Sequence, residues 1–262
     1  MKTPSFSPSP RPSPALPVLL GAAAAALWLA PAADAASVVI PDGAAEGNAS
    51  AEGPFAPLGQ RYQQVFAAEG FGDAGPLSVS AVAFRADADA TGPIDTTRGV
   101  DGFPVEVRLW TTSRAPDGLS SLFDDNVGAD STTVFSGTLS FSSPGPDASG
   151  PGPFDLGIAF DRAFTYDPAA GNLLLEVVKF SADLGEDPLL LDAADDPGDG
   201  TSSLGGLSPI AAQGALSSLG LIAQFEVNPG GPDPIPTPTA AGLGLALGLA
   251  SLARRRTATT PA

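Results

Sequence analysis

The 262-residue chain contains no cysteine and no histidine. Without cysteine there is no disulfide, so an exported fold of this sequence has to stand on its hydrophobic core or on bound metal. The same two absences remove thiol nucleophiles, imidazole bases and the usual ligands of zinc and copper. An ordinary Ser-His-Asp triad is excluded too, although serine is abundant. Aromatic residues other than phenylalanine are scarce: two tryptophans and two tyrosines against 14 phenylalanines. Trp28 falls in the N-terminal apolar run, which leaves Trp110, Tyr62 and Tyr166 for the rest. A carboxylate pair cleaving glycosides in an aromatic groove has few rings to draw on.

Basic residues are also few, 12 against 29 acidic ones. Residues 36–232 hold only Arg61, Arg85, Arg98, Arg108, Arg114, Arg162 and Lys179. Those seven stand against 27 acidic residues, a net charge of −20 for this stretch. Such a surface repels nucleic acid and anionic lipid, and it favours solubility and divalent cations.

What the chain has in strength is apolar sequence at both ends. Lys2 and Arg11 precede an apolar run over residues 15–29, followed by Ala33-Asp34-Ala35. A basic start, a short apolar core and a small-x-small site make a secretory signal peptide, and the run falls short of the ~20 residues that span a bilayer. Pro4, Pro8, Pro10, Pro12 and Pro14 argue against a packed helix there. Cleavage is expected between Ala35 and Ala36, after export through the Sec machinery.

At the other end, Pro236-Thr237-Pro238 is followed by an uncharged stretch over residues 240–253 and then by Arg254-Arg255-Arg256. Its interior glycines cost about 1 kcal/mol each in an aqueous helix, whereas lipid tolerates small residues and helices approach closely through them. The arginines set the orientation, tail inside and body outside. A plain tail anchor and a flexible apolar terminus are the other readings. Residues 229–238 form a proline-rich, semi-rigid stalk.

Between the ends, strand follows strand. Phe103, Val105, Val107 and Leu109 alternate with Pro104, Glu106 and Arg108, a period of two with one face buried. Phe135, Gly137, Leu139 and Phe141 do the same, as do Phe154, Leu156, Ile158 and Phe160, and Leu219, Leu221, Ala223, Phe225 and Val227. Residues 61–68, 77–85 and 173–180 add three more strands, the last two apolar on both faces as central strands are, and residues 37–40 an edge strand. About eight closely spaced strands predict an all-β sandwich, jelly-roll-like first and immunoglobulin-like second. Residues 142–153 and 182–218 read as long loops, with one helical turn near residues 119–124. The organisation is then a signal peptide at 1–35, a β-sandwich domain at 36–228, the stalk at 229–238 and a sorting or transmembrane segment at 239–262.

One loop gathers carboxylates. Asp192, Asp195, Asp196 and Asp199 surround Pro197-Gly198 and precede Gly200. Calcium takes six to eight oxygen ligands and suits such a loop, although the spacing is not that of an EF-hand; the other reading is a solvated acidic loop. The stretch from Asp87 and Asp89 begins like a calcium loop but has Arg98 where a closing glutamate belongs. Asp124, Asp125, Asn126 and Asp130 suit caps and turns. Trp110 lies on the outward face of its strand, open to stacking on a sugar ring or to packing in a core.

The C-terminal layout resembles the PEP-CTERM family of bacterial sorting signals, in which a Pro-Glu-Pro motif precedes one hydrophobic span and an arginine cluster. Thr237 stands where that family usually has glutamate. Parts of the middle are similar to exported bodies found ahead of such tails, notably Leu109-Trp110-Thr111-Thr112-Ser113 and Tyr166-Asp167-Pro168-Ala169-Ala170-Gly171. The resemblance implies an exosortase-like membrane protease as partner, and release to the cell surface or an exopolysaccharide matrix. The expectation is an exported, non-enzymatic surface or matrix protein with no cofactor unless calcium binds. The alternative is a carbohydrate-binding module for matrix polysaccharide, with or without calcium.

Overall fold

The computed structural model describes residues 36–41, 46–73, 75–90, 94–95, 102–146, 152–181 and 189–230. The signal run, most of the stalk and the segment at 239–262 lie outside the described residues. The strands are β1 (Ala36–Ile40), β2 (Ala49–Ala51), β3 (Gln60–Phe66), β4 (Leu77–Phe84), β5 (Ile94–Asp95), β6 (Phe103–Thr112), β7 (Thr132–Leu139) and β8 (Ser142–Ser143). They continue with β9 (Leu156–Tyr166), β10 (Asn172–Lys179), β11 (Leu191–Ala194), β12 (Thr201–Gly206), β13 (Ala215–Ser217), β14 (Gly220–Leu221) and β15 (Ala223–Pro229). The helical pieces among the described residues are 3-10 turns of three or four residues, one of them at Phe123–Asp125. None is long and apolar enough to cross a membrane.

Two antiparallel sheets carry the fold. One runs β1-β15-β4-β9, the other β13-β12-β3-β10-β6-β7, and a smaller sheet, β14-β11-β2, accompanies them. The alternation in β6 sends Phe103, Val105, Val107 and Leu109 into a core shared with Phe66, Leu175 and Val177 of the same sheet. Val79, Val82, Phe84, Ile158, Phe164, Tyr166 and Phe225 of the four-stranded sheet complete that core. The described residues are therefore all-β, with two sheets facing each other across a shared core. β4 and β10 lie inside their sheets, as their two-sided apolar sequence requires. β1 is an edge strand, and its pairing puts Ala36 opposite Val227. The first and last described strands thus leave the sandwich at the same end.

Phe55 sits at one focus of the core. It is fully buried, with ring centroids 5.8, 5.9 and 5.0 Å from Phe84, Phe103 and Phe141. It precedes Gln60, so a short connection is anchored by aromatic packing rather than by a covalent link.

The structure departs from the sequence expectation in three places, the first being the expected loop at 142–153, which begins with β8. Residues 182–218 are not one long loop, because β11, β12 and β13 lie within them. Thr201-Ser202-Ser203-Leu204-Gly205-Gly206 has no alternation and Thr201 as its one β-branched side chain, and becomes a strand by pairing with β3. In β7 a register shift against Val107/Arg108 lets both Val134 and Phe135 reach the core, so the alternation that selects Phe135 alone misses Val134.

Phe55→Ala should cost about 3–5 kcal/mol in urea or thermal unfolding. Leu207→Ala, at a side chain 86% exposed, should stay within about 0.5 kcal/mol. Equal effects from the two would mean that the aromatic cluster does not stabilise the fold.

Candidate functional site

The four clustered aspartates are held on separate partners. Asp192 follows the first residue of β11 and is 1% exposed. One of its oxygens accepts from Arg85 Nε at 2.6 Å and the other from the Gly47 amide at 2.8 Å. Asp195 accepts from the Ser218 hydroxyl at 2.6 Å, and Asp196 from Asn48 Nδ2 at 2.9 Å. Asp199 turns back on its own chain and accepts from the amide and hydroxyl of Thr201 at 2.8 and 3.0 Å. Gly198 and Gly200 have φ values of 87° and 93°, which lets the turn reverse before β12. Among the described residues no group of three or more acidic side chains is placed to hold a metal ion.

Arg85 and Asp192 form an ion pair that is almost wholly out of water, and the guanidinium lies 4.8 Å from the Phe154 ring. Asp87 is buried beside it. Its side chain accepts from the Asp89 amide at 2.8 Å, an Asx-type turn rather than a ligand pose. Burial pushes its carboxyl above the ordinary 3.8, against that hydrogen bond and helped by the nearby charges of Asp192, Asp89 and Glu46. The third acidic group supplies turn chemistry. Asn126 accepts from the Ser120 amide at 2.7 Å, Asp130 accepts from the Thr111 amide at 2.9 Å, and Asp124 pairs with Arg61 at 3.0 Å.

A second polar centre had no motif to announce it. Glu176, fully buried on the outer face of β10, accepts from Arg61 Nε at 2.8 Å, Gln63 Nε2 at 2.8 Å and Arg108 at 3.2 Å. Asn126 donates to Gln63 at 3.0 Å, and the Arg61 guanidinium lies 4.6 Å from the Phe123 ring. The only sequence signal was that Gln63, Glu176 and Arg108 fall on the outward-facing parity of their three strands. Beside this network Trp110 packs with Val65, Leu119, Phe123, Leu174 and Leu204. It is on the outward face of its strand, as alternation predicts, yet only 4% exposed, because residues 119–123 fold over it.

Two open depressions mark the surface. One of about 150 Å³ is lined by Asp117, Leu119, Ser202, Leu216, Ser217 and Ser218. The other, about 350 Å³, is lined by Ala68, Glu69, Gly72, Asp73, Gly75, Pro168 and Ala169. Neither has an aromatic lining. Ala36 is the first residue of β1; Ala35, Pro236, Thr237, Pro238, Arg254, Arg255 and Arg256 lie outside the described residues. No family model, curated protein or solved structure matches the chain.

Removing one partner of a buried ion pair is costly, so Asp192→Ala should lose about 3–5 kcal/mol. Asp195→Ala, at an exposed carboxylate, should lose no more than about 0.5 kcal/mol. A loop held by protein contacts gives the same melting temperature in chelator and in calcium, and a calcium-dependent rise would restore the metal reading.

For Asp87 the folded pKa lies above the unfolded one, so the native state binds more protons in the window just above pH 3.8. Stability then falls as pH rises through that window. Asp87→Asn, which keeps the acceptor for the Asp89 amide, should be more stable than the parent at pH 7. The gain should vanish below pH 3.8, as thermal unfolding across pH reads directly. A pH-independent difference would show that the Asp87 charge carries no penalty.

Proposed function

We propose that this chain is an exported, non-enzymatic protein of the cell surface or extracellular matrix, delivered through its N-terminal signal and sorted through its C-terminal segment. The observation that carries the reading is the order of three features: Pro236-Thr237-Pro238, the uncharged stretch 240–253, and Arg254 to Arg256. That layout resembles a PEP-CTERM signal, whose partner is an exosortase-like protease at the membrane. Proline fixes its own backbone and disfavours helix in the residue before it, so the segment ahead of the span stays extended, as a protease cleft requires.

One feature of the fold supports this reading. Ala36 pairs with Val227, so a body hung by its C-terminal stalk is tethered at one end with the opposite end free. The strand order further supports a jelly roll within the sandwich. β1-β15-β4-β9 and β3-β10-β6-β7 are the two four-stranded halves of that topology, with β12 and β13 inserted between its last two strands. The carbohydrate-binding alternative has less behind it, since Trp110 is covered and neither depression offers a ring for stacking; a glycan array separates the two.

The mature exported form should begin at Ala36 and lack everything beyond about residue 240. Replacing Pro236 and Pro238 should leave an uncut, membrane-bound precursor, and neutralising the three arginines should impair retention. Cell fractionation with sequencing of both ends reads all three. Protein recovered from medium or matrix with Arg254 to Arg256 still attached would overturn the proposal.

A further inference from the structure

Residues 200–225 contain no Asp, Glu, Lys or Arg, a charge-free run of 26 residues and the longest between positions 36 and 232, a stretch whose net charge is −20. The last part of this run continues into β14 and β15 of the other sheets, and its first part, β12 and β13, forms one lateral edge of the six-stranded sheet. β13 is the terminal strand there, paired with β12 through Leu216↔Leu204. All three of its residues are exposed. Natural edges are commonly blunted by charged side chains, proline or a bulge, and Ala215-Leu216-Ser217 has none of these; its shortness is its one safeguard. The other edge of the same sheet differs, because there the Ser136 amide of β7 donates to Asp161 of β9 at 3.4 Å.

Apolar side chains surround this edge. Leu216 is 53% exposed, Leu207 86% and Ile210 89%. Leu122, 44% exposed, is joined to the strip through its bridge to Gln213. Two carboxylates flank the strand: Asp117 lines the small depression beside Leu216 and accepts from the Gly198 amide at 3.0 Å, and Asp195 accepts from the hydroxyl of Ser218, next after β13, at 2.6 Å.

We propose that this charge-free edge is a self-association surface, on which β13 pairs antiparallel with β13 of a second copy of the chain. Charge selects that occupant. Two bodies of −20 each repel wherever acidic surfaces meet, and this strand puts only neutral side chains at the centre of a contact. The contact is isologous, because a short antiparallel strand pairs with its own copy about a two-fold axis. It brings the two Leu216 side chains together. A cationic partner would be drawn to the acidic surface and released by salt. Self-association through a neutral strip has the opposite salt dependence, because salt screens the repulsion and leaves the apolar contact intact.

The absence of cysteine makes the test direct. In the full chain, Leu216→Cys places a single thiol at the proposed two-fold, and Ala170→Cys places one on an exposed turn elsewhere. A pre-associated pair holds its thiols at roughly millimolar effective concentration, so at micromolar protein Leu216→Cys should form disulfide-linked dimer about 100-fold faster than the control. Sedimentation of the parent should show the dimer fraction rising between about 0.02 and 0.5 M salt, and Leu216→Asp should remain monomeric throughout. Circular dichroism of each variant separates loss of pairing from loss of fold. Equal cross-linking at the two positions, a parent that stays monomeric at every salt concentration, a dimer that forms without cross-linking through residue 216, or capture of polysaccharide in place of a second copy would each overturn the proposal.

Discussion

The fold is governed by the burial of positive charge in a strongly acidic chain that has no covalent cross-link. Lys179 is fully buried and donates to the carbonyls of Ala56, Pro57 and Leu58 at 2.7, 3.2 and 3.3 Å. Arg85 meets Asp192 inside, and Arg61 and Arg108 converge on Glu176. A buried charge is tolerated only when paired and hydrogen-bonded. Each of these cations therefore fixes the position of a segment distant in sequence: the turn before β3, the start of β11, and the junction of β3, β6 and β10. Lys179 and Arg85 are buried outright, whereas Arg61 and Arg108 reach inward from partly exposed positions.

Neutral polar side chains extend the same principle. Gln64 is buried, and its amide both donates to the Leu221 carbonyl at 2.8 Å and accepts from the Leu221 amide at 2.9 Å. It thereby serves as a substitute backbone partner and joins the small β14-β11-β2 sheet to the six-stranded one. Tyr62 donates to the same Gln64 oxygen at 2.6 Å. Networks of this kind specify one arrangement over its neighbours, since a slipped register leaves several buried groups unpaired at once. In a chain without disulfides they supply the long-range restraint that cross-links supply elsewhere.

This division explains what could be read from the sequence. Alternation identified β6, β9 and β15, and two-sided apolar runs identified β4 and β10, because one dominant core imposes a period on every strand facing it. β12 escaped because its sequence is small and polar, and what makes it a strand is the exposed side of β3, which no local pattern reports. Trp110 was placed on the correct face with two readings, and the packed one holds, because a second small core lies on that face under residues 119–123. The acidic cluster at residues 192–199 looked like one unit in sequence. In space its members point to Arg85, Ser218, Asn48 and Thr201, partners scattered along the chain. Glu176 gave no signal beyond its parity. The segments proposed as addresses at the two ends lie outside the described residues.

The inserted β12–β13 hairpin answers a problem set by β3. Without β12, β3 would be the sheet edge, and its Gln60, Gln63 and Gln64 would stand beside an open ladder. Those side chains are buried and already engaged with Gly53, Glu176 and Leu221, so water or a foreign strand entering there would compete for groups that hold the fold together. β12 closes that ladder with Thr201, Ser202 and Ser203, all buried, and transfers the edge outward to β13. The new edge bears none of the internal network, so what happens at it need not disturb the core. That decoupling lets a short, neutral strand stay exposed on an otherwise acidic molecule: the residues that secure the fold and those that meet a neighbour are one strand apart.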